Sequence, residues 1–81
     1  NRLDPESSLE LKDTVERVNQ IIGRLPEQQK TLLQMRDVEG LEYEEIADIM
    51  GLEINTIRVN ISRARKKVRE TIQKMYQSWK I

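Results

Sequence analysis

The first third of the chain places apolar residues at intervals of four and three, the spacing of one face of a helix: Leu11, Val15, Val18, Ile22 and Leu25. Ser7 with Glu10 three residues later forms a capping box, a common helix start. Gly23 is a typical helix stop. These features predict a first helix over about residues 7–23.

Two shorter helices are predicted next. Pro26 suits the first position of a helix, where no amide hydrogen is needed. A helix over about 26–39 then follows, with these inward residues: Leu32, Leu33, Met35 and Val38. A third helix is predicted over about 43–50, ending at Gly51, with these inward residues: Ile46, Ala47, Ile49 and Met50.

The last helix is predicted over about residues 54–78. Its apolar residues recur every three or four positions: Ile57, Ile61, Ala64, Val68, Ile72, Met75 and Trp79. Met75 and Trp79 are expected to pack on the first helix. No segment shows the alternation of a strand, and 81 residues leave room for one domain. We therefore expect a single all-α domain spanning residues 1–81.

A helix-turn-helix is predicted where the third and fourth helices meet. Its first helix needs a small residue where the second crosses closely, and Ala47 lies there. Gly51, four residues later, suits a tight turn with positive φ. Ile57 follows six residues after Gly51 and, with Ile61, is expected to anchor the second helix in the core.

The composition excludes several classes of function. The chain has no cysteine and no histidine, so disulfides, thiol nucleophiles, histidine catalysis and the usual zinc ligands are absent. No glycine-rich loop or carboxylate spacing indicates a catalytic pocket, and no enzyme, cofactor or metal site is expected. The longest apolar runs, 21–22 and 32–33, are far too short to span a membrane.

Charge is unevenly distributed. Residues 1–52 carry 6 basic and 12 acidic residues, whereas 53–81 carry 8 basic and 2 acidic ones. A basic second helix in a helix-turn-helix indicates contact with nucleic acid. The acidic cluster over 37–48 is expected to be a solvated surface; the alternatives are that it contacts a basic patch on a partner protein or discourages stray DNA binding.

The angular positions in the fourth helix predict its outward face. At about 100° per residue from Ile57, the outward residues lie between about 140° and 200°: Asn55, Val59, Ser62 and Lys66. Arg58 and Arg63 flank them. Arginine can bind guanine edges, asparagine can bind adenine, serine can donate or accept, and a β-branched methyl group can contact thymine.

The chain contains three distinctive sequence motifs: RLPE at 24–27, DVEGLEYEEIA at 37–47 and SRARKKVRE at 62–70. Together they resemble region 4 of sigma-70 family transcription factors, of the extracytoplasmic-function (ECF) group, over about residues 12–70. The resemblance implies a four-helix domain with a C-terminal helix-turn-helix, winged-helix-like in its DNA binding. It also implies recognition of the −35 promoter element on double-stranded DNA in the cytoplasm. Docking on the β-subunit flap of RNA polymerase and capture by an anti-sigma factor are further implied partners.

The resemblance also implies residue roles. Its base-facing positions match Arg58, Val59, Ser62 and Arg63, and Asn55 joins them by its outward angle. Its phosphate positions match Thr56, Asn60 and Lys66, to which we add Lys67. The family often has serine where this chain has Glu42 and Glu53, and Ser-Arg where it has Val59-Asn60. These departures predict weaker attraction to the DNA backbone and an altered −35 sequence.

Two other functions are compatible with the sequence. One is the effector domain of a LuxR-type response regulator, which has a similar four-helix plan and dimerises through its last helix, whereas the sigma interpretation expects a monomer. The other is a protein-interaction module whose basic helix binds an acidic partner or a membrane surface. Tyr43 is expected to pack at a helix start rather than contact a base.

Overall fold

Four helices and one π-helical turn make up the fold. The computed structural model describes the backbone of residues 5–79 and the side chains of residues 12–75 and 77. The elements are α1 (Pro5–Gly23), α2 (Glu27–Leu33), a π-helical turn (Gln34–Val38), α3 (Tyr43–Met50) and α4 (Ile54–Trp79). The described residues contain no strand, so the prediction of an all-α fold is confirmed.

The expected Ser7–Glu10 capping box and the inward positions of Leu11 and Trp79 lie outside the described side chains. That residues 1–81 form one domain stays a prediction.

The core forms where α2, α3 and α4 meet. Its buried residues are Leu25, Leu32, Leu33, Ile46, Ile57, Ile61 and Ala64. Half-buried Ile22, Val68 and Tyr43 pack against this cluster. The described residues include no buried polar or charged side chain, so burial of apolar surface holds these helices together.

Pro26 precedes α2 rather than beginning it. Its ψ of 143° is extended, and α2 starts at Glu27. The carbonyl of Pro26 accepts a 2.9 Å hydrogen bond from the Lys30 amide, so the proline is the flanking N-cap residue. The expected first helical position for Pro26 is therefore wrong by one residue.

The π-helical turn changes which side chains face inward. The Glu39 amide bonds the Gln34 carbonyl at 3.0 Å, a five-residue interval. A π turn holds more residues than an α turn, so the side chains after Gln34 rotate away from the α-helical register. Val38, expected inward, is 74% exposed.

Three other residues expected inward are exposed. Ile49 is 61% exposed, because α3 packs against its neighbours along a stripe centred on Ile46 and Met50. Val15 is half exposed, because among the described side chains of α1 it is Ile22, seven residues later, that packs on the core. Ile72 is 39% exposed and lies beyond Ala64, the last buried residue among the described side chains of α4.

Candidate DNA-binding surface

The helix-turn-helix is formed by α3, a three-residue turn and α4. Gly51 ends α3 in the left-handed conformation, with φ 66°, and its amide donates to the Ala47 carbonyl at 2.9 Å. The Glu53 carbonyl accepts from the Ile57 amide at 3.1 Å and so begins α4. Ile46 and Ile57 are both fully buried. The angle between the two helices is thus fixed by apolar contact on the inner side and by a glycine turn at their junction.

The residues predicted to face DNA lie on the exposed surface of α4. All five predicted base-facing residues are exposed: Asn55, Arg58, Val59, Ser62 and Arg63. Thr56, Lys66 and Lys67 are exposed as well. Ala47 is half-buried, and Ile57 and Ile61 lie in the core on the opposite side. The anchoring face and the face available to a ligand are therefore separate.

Asn60 differs from the other predicted phosphate residues. It is half-buried, and its amide nitrogen donates to the Thr56 carbonyl at 2.8 Å within the helix. One donor of the amide is therefore used by the helix itself. A phosphate contact through Asn60 would use the second donor hydrogen or require the side chain to turn.

Tyr43 organises two arginines beside the motif. It packs against the core at the start of α3, as expected. The guanidinium carbon of Arg36 lies 4.6 Å from the centroid of its ring and that of Arg58 lies 5.2 Å from it. Arg36 is itself held by a 2.8 Å hydrogen bond to the Leu41 carbonyl. The guanidinium of Arg58 is thus stacked on a ring that packs against the core, beside the exposed face of α4. The sequence carried no signal for this stacking.

The acidic start of α3 is used for capping. The Glu42 amide donates to a carboxylate oxygen of Glu45 at 3.1 Å, half of a capping box. The Ile46 amide bonds the Glu42 carbonyl at 3.0 Å. Glu45 therefore caps the amide of Glu42, and its negative charge suits the helix N-terminus.

One ion pair joins the π-helical turn to α4, and sequence reasoning missed it. Arg65 donates from Nε to an oxygen of Asp37 at 3.0 Å and from a terminal nitrogen to the other oxygen. This bidentate hydrogen bond holds the pKa of the Asp37 carboxyl below its ordinary value of 3.8, against an opposing effect of partial burial. Arg65 is thus occupied within the protein, whereas Arg58 and Arg63 form no ion pair with another described residue.

The described part of the chain contains neither a cluster of metal-ligating residues nor a helix that could cross a membrane. No cluster of three or more carboxylates there could hold a metal ion. None of its helices combines the length and apolar character that a membrane crossing requires.

An exposed, basic second helix that follows a glycine turn is the arrangement of a DNA-binding helix-turn-helix domain. The family model described as sigma-70, region 4, matches residues 16–68. The chain belongs to this family.

Several curated relatives are similar over most of the chain. Identity is 41% to the RNA polymerase sigma-H factor of Pseudomonas aeruginosa and 43% to the ECF RNA polymerase sigma-E factor of Haemophilus influenzae, each over 85% of this chain. It is 34% to the ECF RNA polymerase sigma-E factor of Escherichia coli, over 86%. The chain spans only 36% to 37% of the length of these relatives.

Proposed function

We propose that this chain is the −35-reading region 4 of an ECF-type sigma factor and directs transcription initiation from promoter DNA. The observation that carries the proposal is the second helix of the motif. Its exposed face combines Arg58, Ser62 and Arg63 with a buried opposite face, and the family match covers α3, the turn and α4 as far as residue 68. Side chains of these types read base edges in the major groove.

The proposal assigns two kinds of contact. Base edges would be read by Asn55, Arg58, Val59, Ser62 and Arg63. The DNA backbone would be held by Thr56, Lys66 and Lys67, with a smaller part for Asn60 because its side chain already bonds the helix. Phosphate contacts supply affinity to any sequence, whereas base contacts supply the choice among sequences.

The proposed role requires partners beyond DNA. RNA polymerase core is the first, with its β-subunit flap as the docking site, and an anti-sigma factor is the second. The domain would act as a monomer in the cytoplasm and without catalysis. The family match favours this proposal over the LuxR-type effector domain and over a protein-interaction module. Analytical ultracentrifugation tests the monomer, since a LuxR-type domain would dimerise through its last helix.

The experiment that tests the proposal is selection of duplexes from a random library, followed by affinity measurements on two variants. We expect one preferred sequence to emerge. Arg63→Ala should cost about 1–3 kcal/mol on that sequence and relax specificity at one base pair. Lys67→Ala should weaken binding to all sequences alike.

Two results would contradict the proposal. The first is selection that returns no preferred sequence from a folded chain. The second is an Arg63→Ala variant that loses affinity equally for every duplex, which would remove Arg63 from the base-reading set.

A further inference from the structure

A basic groove lies beside α4, between that helix and the turn joining α1 to α2. Its volume is about 470 Å³. Arg63 and Lys67 contribute from α4, and Arg24 contributes from the turn. Ile21 and Leu25 are among its apolar lining residues, and none of the residues that line it carries a carboxylate. Three positive charges therefore share one groove without a negative charge in its walls.

These three cations have no ion-pair partner among the described residues, although that part of the chain is rich in acidic residues. Among the described residues, Lys30, Arg36 and Arg65 each form an ion pair with a carboxylate. Arg24, Arg63 and Lys67 form no ion pair or side-chain hydrogen bond with any described residue. The groove thus keeps its charge available for an external anion.

Arg24 is held close to its place by the backbone. Its amide bonds the Ile21 carbonyl at 3.2 Å, and the next amide, that of Leu25, bonds the Ile22 carbonyl at 3.1 Å. Leu25 is 6% exposed and belongs to the core. The turn that carries Arg24 is therefore fixed against the folded domain before any ligand binds, which lowers the ordering cost of a contact.

We propose that Arg24 and Lys67 hold a DNA phosphate in this groove, so that the DNA footprint extends beyond the helix-turn-helix to the α1–α2 turn. The inference rests on the proposed function, because it places α4 in the major groove. The sugar-phosphate strands border the major groove, and because Arg63, which flanks the outward face of α4, also lines the basic groove, we expect that groove to face one of these strands. Arginine and lysine are the side chains that phosphate oxygens prefer, and arginine can bind them with two hydrogen bonds.

The first test is the salt dependence of DNA binding by the 81-residue chain, measured by fluorescence anisotropy on the selected duplex and on a random one. Removal of one phosphate contact makes the slope of log affinity against log salt less negative by about 0.9 for B-form DNA. We expect Arg24→Ala to change the slope by this amount and to weaken the affinity for both duplexes by the same factor. Arg24→Lys should keep most of the slope.

Lys30→Ala is the matched control. It removes one positive charge from the neighbouring helix, but Lys30 is paired with Glu27 at 3.1 Å and lines a different groove. We expect this variant to keep the wild-type slope. Circular dichroism melts of all variants establish that each is folded at the temperature of the measurement.

The second test identifies the phosphate. Single methylphosphonate substitutions, which remove the charge of one phosphate, are scanned along both strands of the selected duplex. We expect one phosphate position, outside the bases read by α4, where the substitution weakens DNA binding by the wild type but does not change DNA binding by Arg24→Ala.

The outcomes separate this inference from the proposed function. If the wild type prefers a selected sequence and Arg24→Ala keeps the full slope, the inference is wrong and the function stands. The inference is also wrong if every methylphosphonate substitution affects the wild type and Arg24→Ala alike. It is wrong as well if Arg24→Ala binds DNA as the wild type does and loses only its binding to an acidic peptide such as poly-glutamate. If the wild type prefers no sequence at all, the proposed function fails and the inference fails with it.

Discussion

At the residue scale, the structure shows which contact restricts the exposed side chain of Arg58. Arg58 lies over the ring of Tyr43, which the core fixes, so its guanidinium starts from a restricted set of positions. A cation over an aromatic ring at an exposed site is stabilised by about 0.5–1 kcal/mol. We therefore regard Tyr43 as a positioning residue for Arg58.

This view predicts different effects for two substitutions of Tyr43. Tyr43→Leu keeps an apolar side chain but removes the π system, and we expect it to weaken binding to the selected duplex about 2- to 5-fold, the equivalent of about 0.5–1 kcal/mol. Tyr43→Phe keeps the ring and should bind as the wild type does. Anisotropy titrations measure both variants.

A double-mutant cycle with Arg58→Ala separates positioning from general destabilisation. In the Arg58→Ala background, Tyr43→Leu should have no further effect on affinity, because no guanidinium remains to be positioned. Independent losses from the two substitutions would show that Tyr43 acts only through packing.

At the element scale, most of the fold was predictable and the exceptions have identifiable causes. The ends of α1 at Gly23 and of α3 at Met50 were predictable because Gly23 and Gly51 are local signals, whereas α1 begins two residues before its predicted start and α2 ends at Leu33 instead of continuing to residue 39. The π-helical turn was not, since its five-residue interval leaves no mark in the pattern, and the exposure of Val38 follows from it. The Asp37–Arg65 pair was equally hidden, because its partners are 28 residues apart in sequence.

The turn between α3 and α4 gives an element-scale prediction. Gly51 has φ 66°, and a Cβ there would meet no atom within 4 Å, so only the backbone conformation opposes a side chain. A left-handed conformation costs an L-residue about 1–2 kcal/mol. We expect Gly51→Ala to lower the free energy of unfolding by that amount, measured by urea denaturation.

Gly23 supplies the control for this prediction. It is the last residue of α1, its φ is not positive, and it also has open space around it. Gly23→Ala should leave stability unchanged or raise it by about 0.5–1 kcal/mol, because alanine loses less backbone entropy on folding. Equal losses at both glycines would contradict the conformational explanation.

The ion pair that joins the π-helical turn to α4 predicts a pH dependence. The pKa of Asp37 is lowered in the folded state, chiefly by its hydrogen bond to Arg65, so the carboxylate form stabilises the fold. This contribution is present above the ordinary value of 3.8 and is lost as the pH falls through the lower folded value. The free-energy difference between wild type and Asp37→Asn should therefore be largest near neutral pH.

Thermal melts from pH 7 down to pH 2 measure that difference. We expect the two proteins to converge in acid, because Asp37 is then protonated in both the folded and the unfolded chain and carries no charge for Arg65 to bind. A constant difference at all pH values would mean that the asparagine acts through packing and not through the lost charge.

At the scale of the whole molecule, net charge and binding charge are separate quantities. The chain has 14 basic and 14 acidic residues, so it carries no net charge to attract a polyanion from a distance. Its acidic residues lie mostly before residue 53 and its cations mostly after it. Of the seven cations in α4, Arg65 is paired with Asp37, and six form no ion pair with a described residue: Arg58, Arg63, Lys66, Lys67, Arg69 and Lys74.

The chain should therefore bind DNA with a salt dependence set by the cations that form no ion pair with a described residue, and not by the net charge of the chain. Neutralisation of about five or six phosphates would give a slope near −5 in log affinity against log salt. Anisotropy titrations of a random 20-base-pair duplex between 50 and 300 mM salt measure it. A slope near zero would contradict a backbone-contacting face, since a neutral protein has no other source of counterion release. A slope that stays near −5 after Lys66→Ala and Lys67→Ala are combined would assign the phosphate contacts to other cations, because two lost contacts should reduce it by about 1.8.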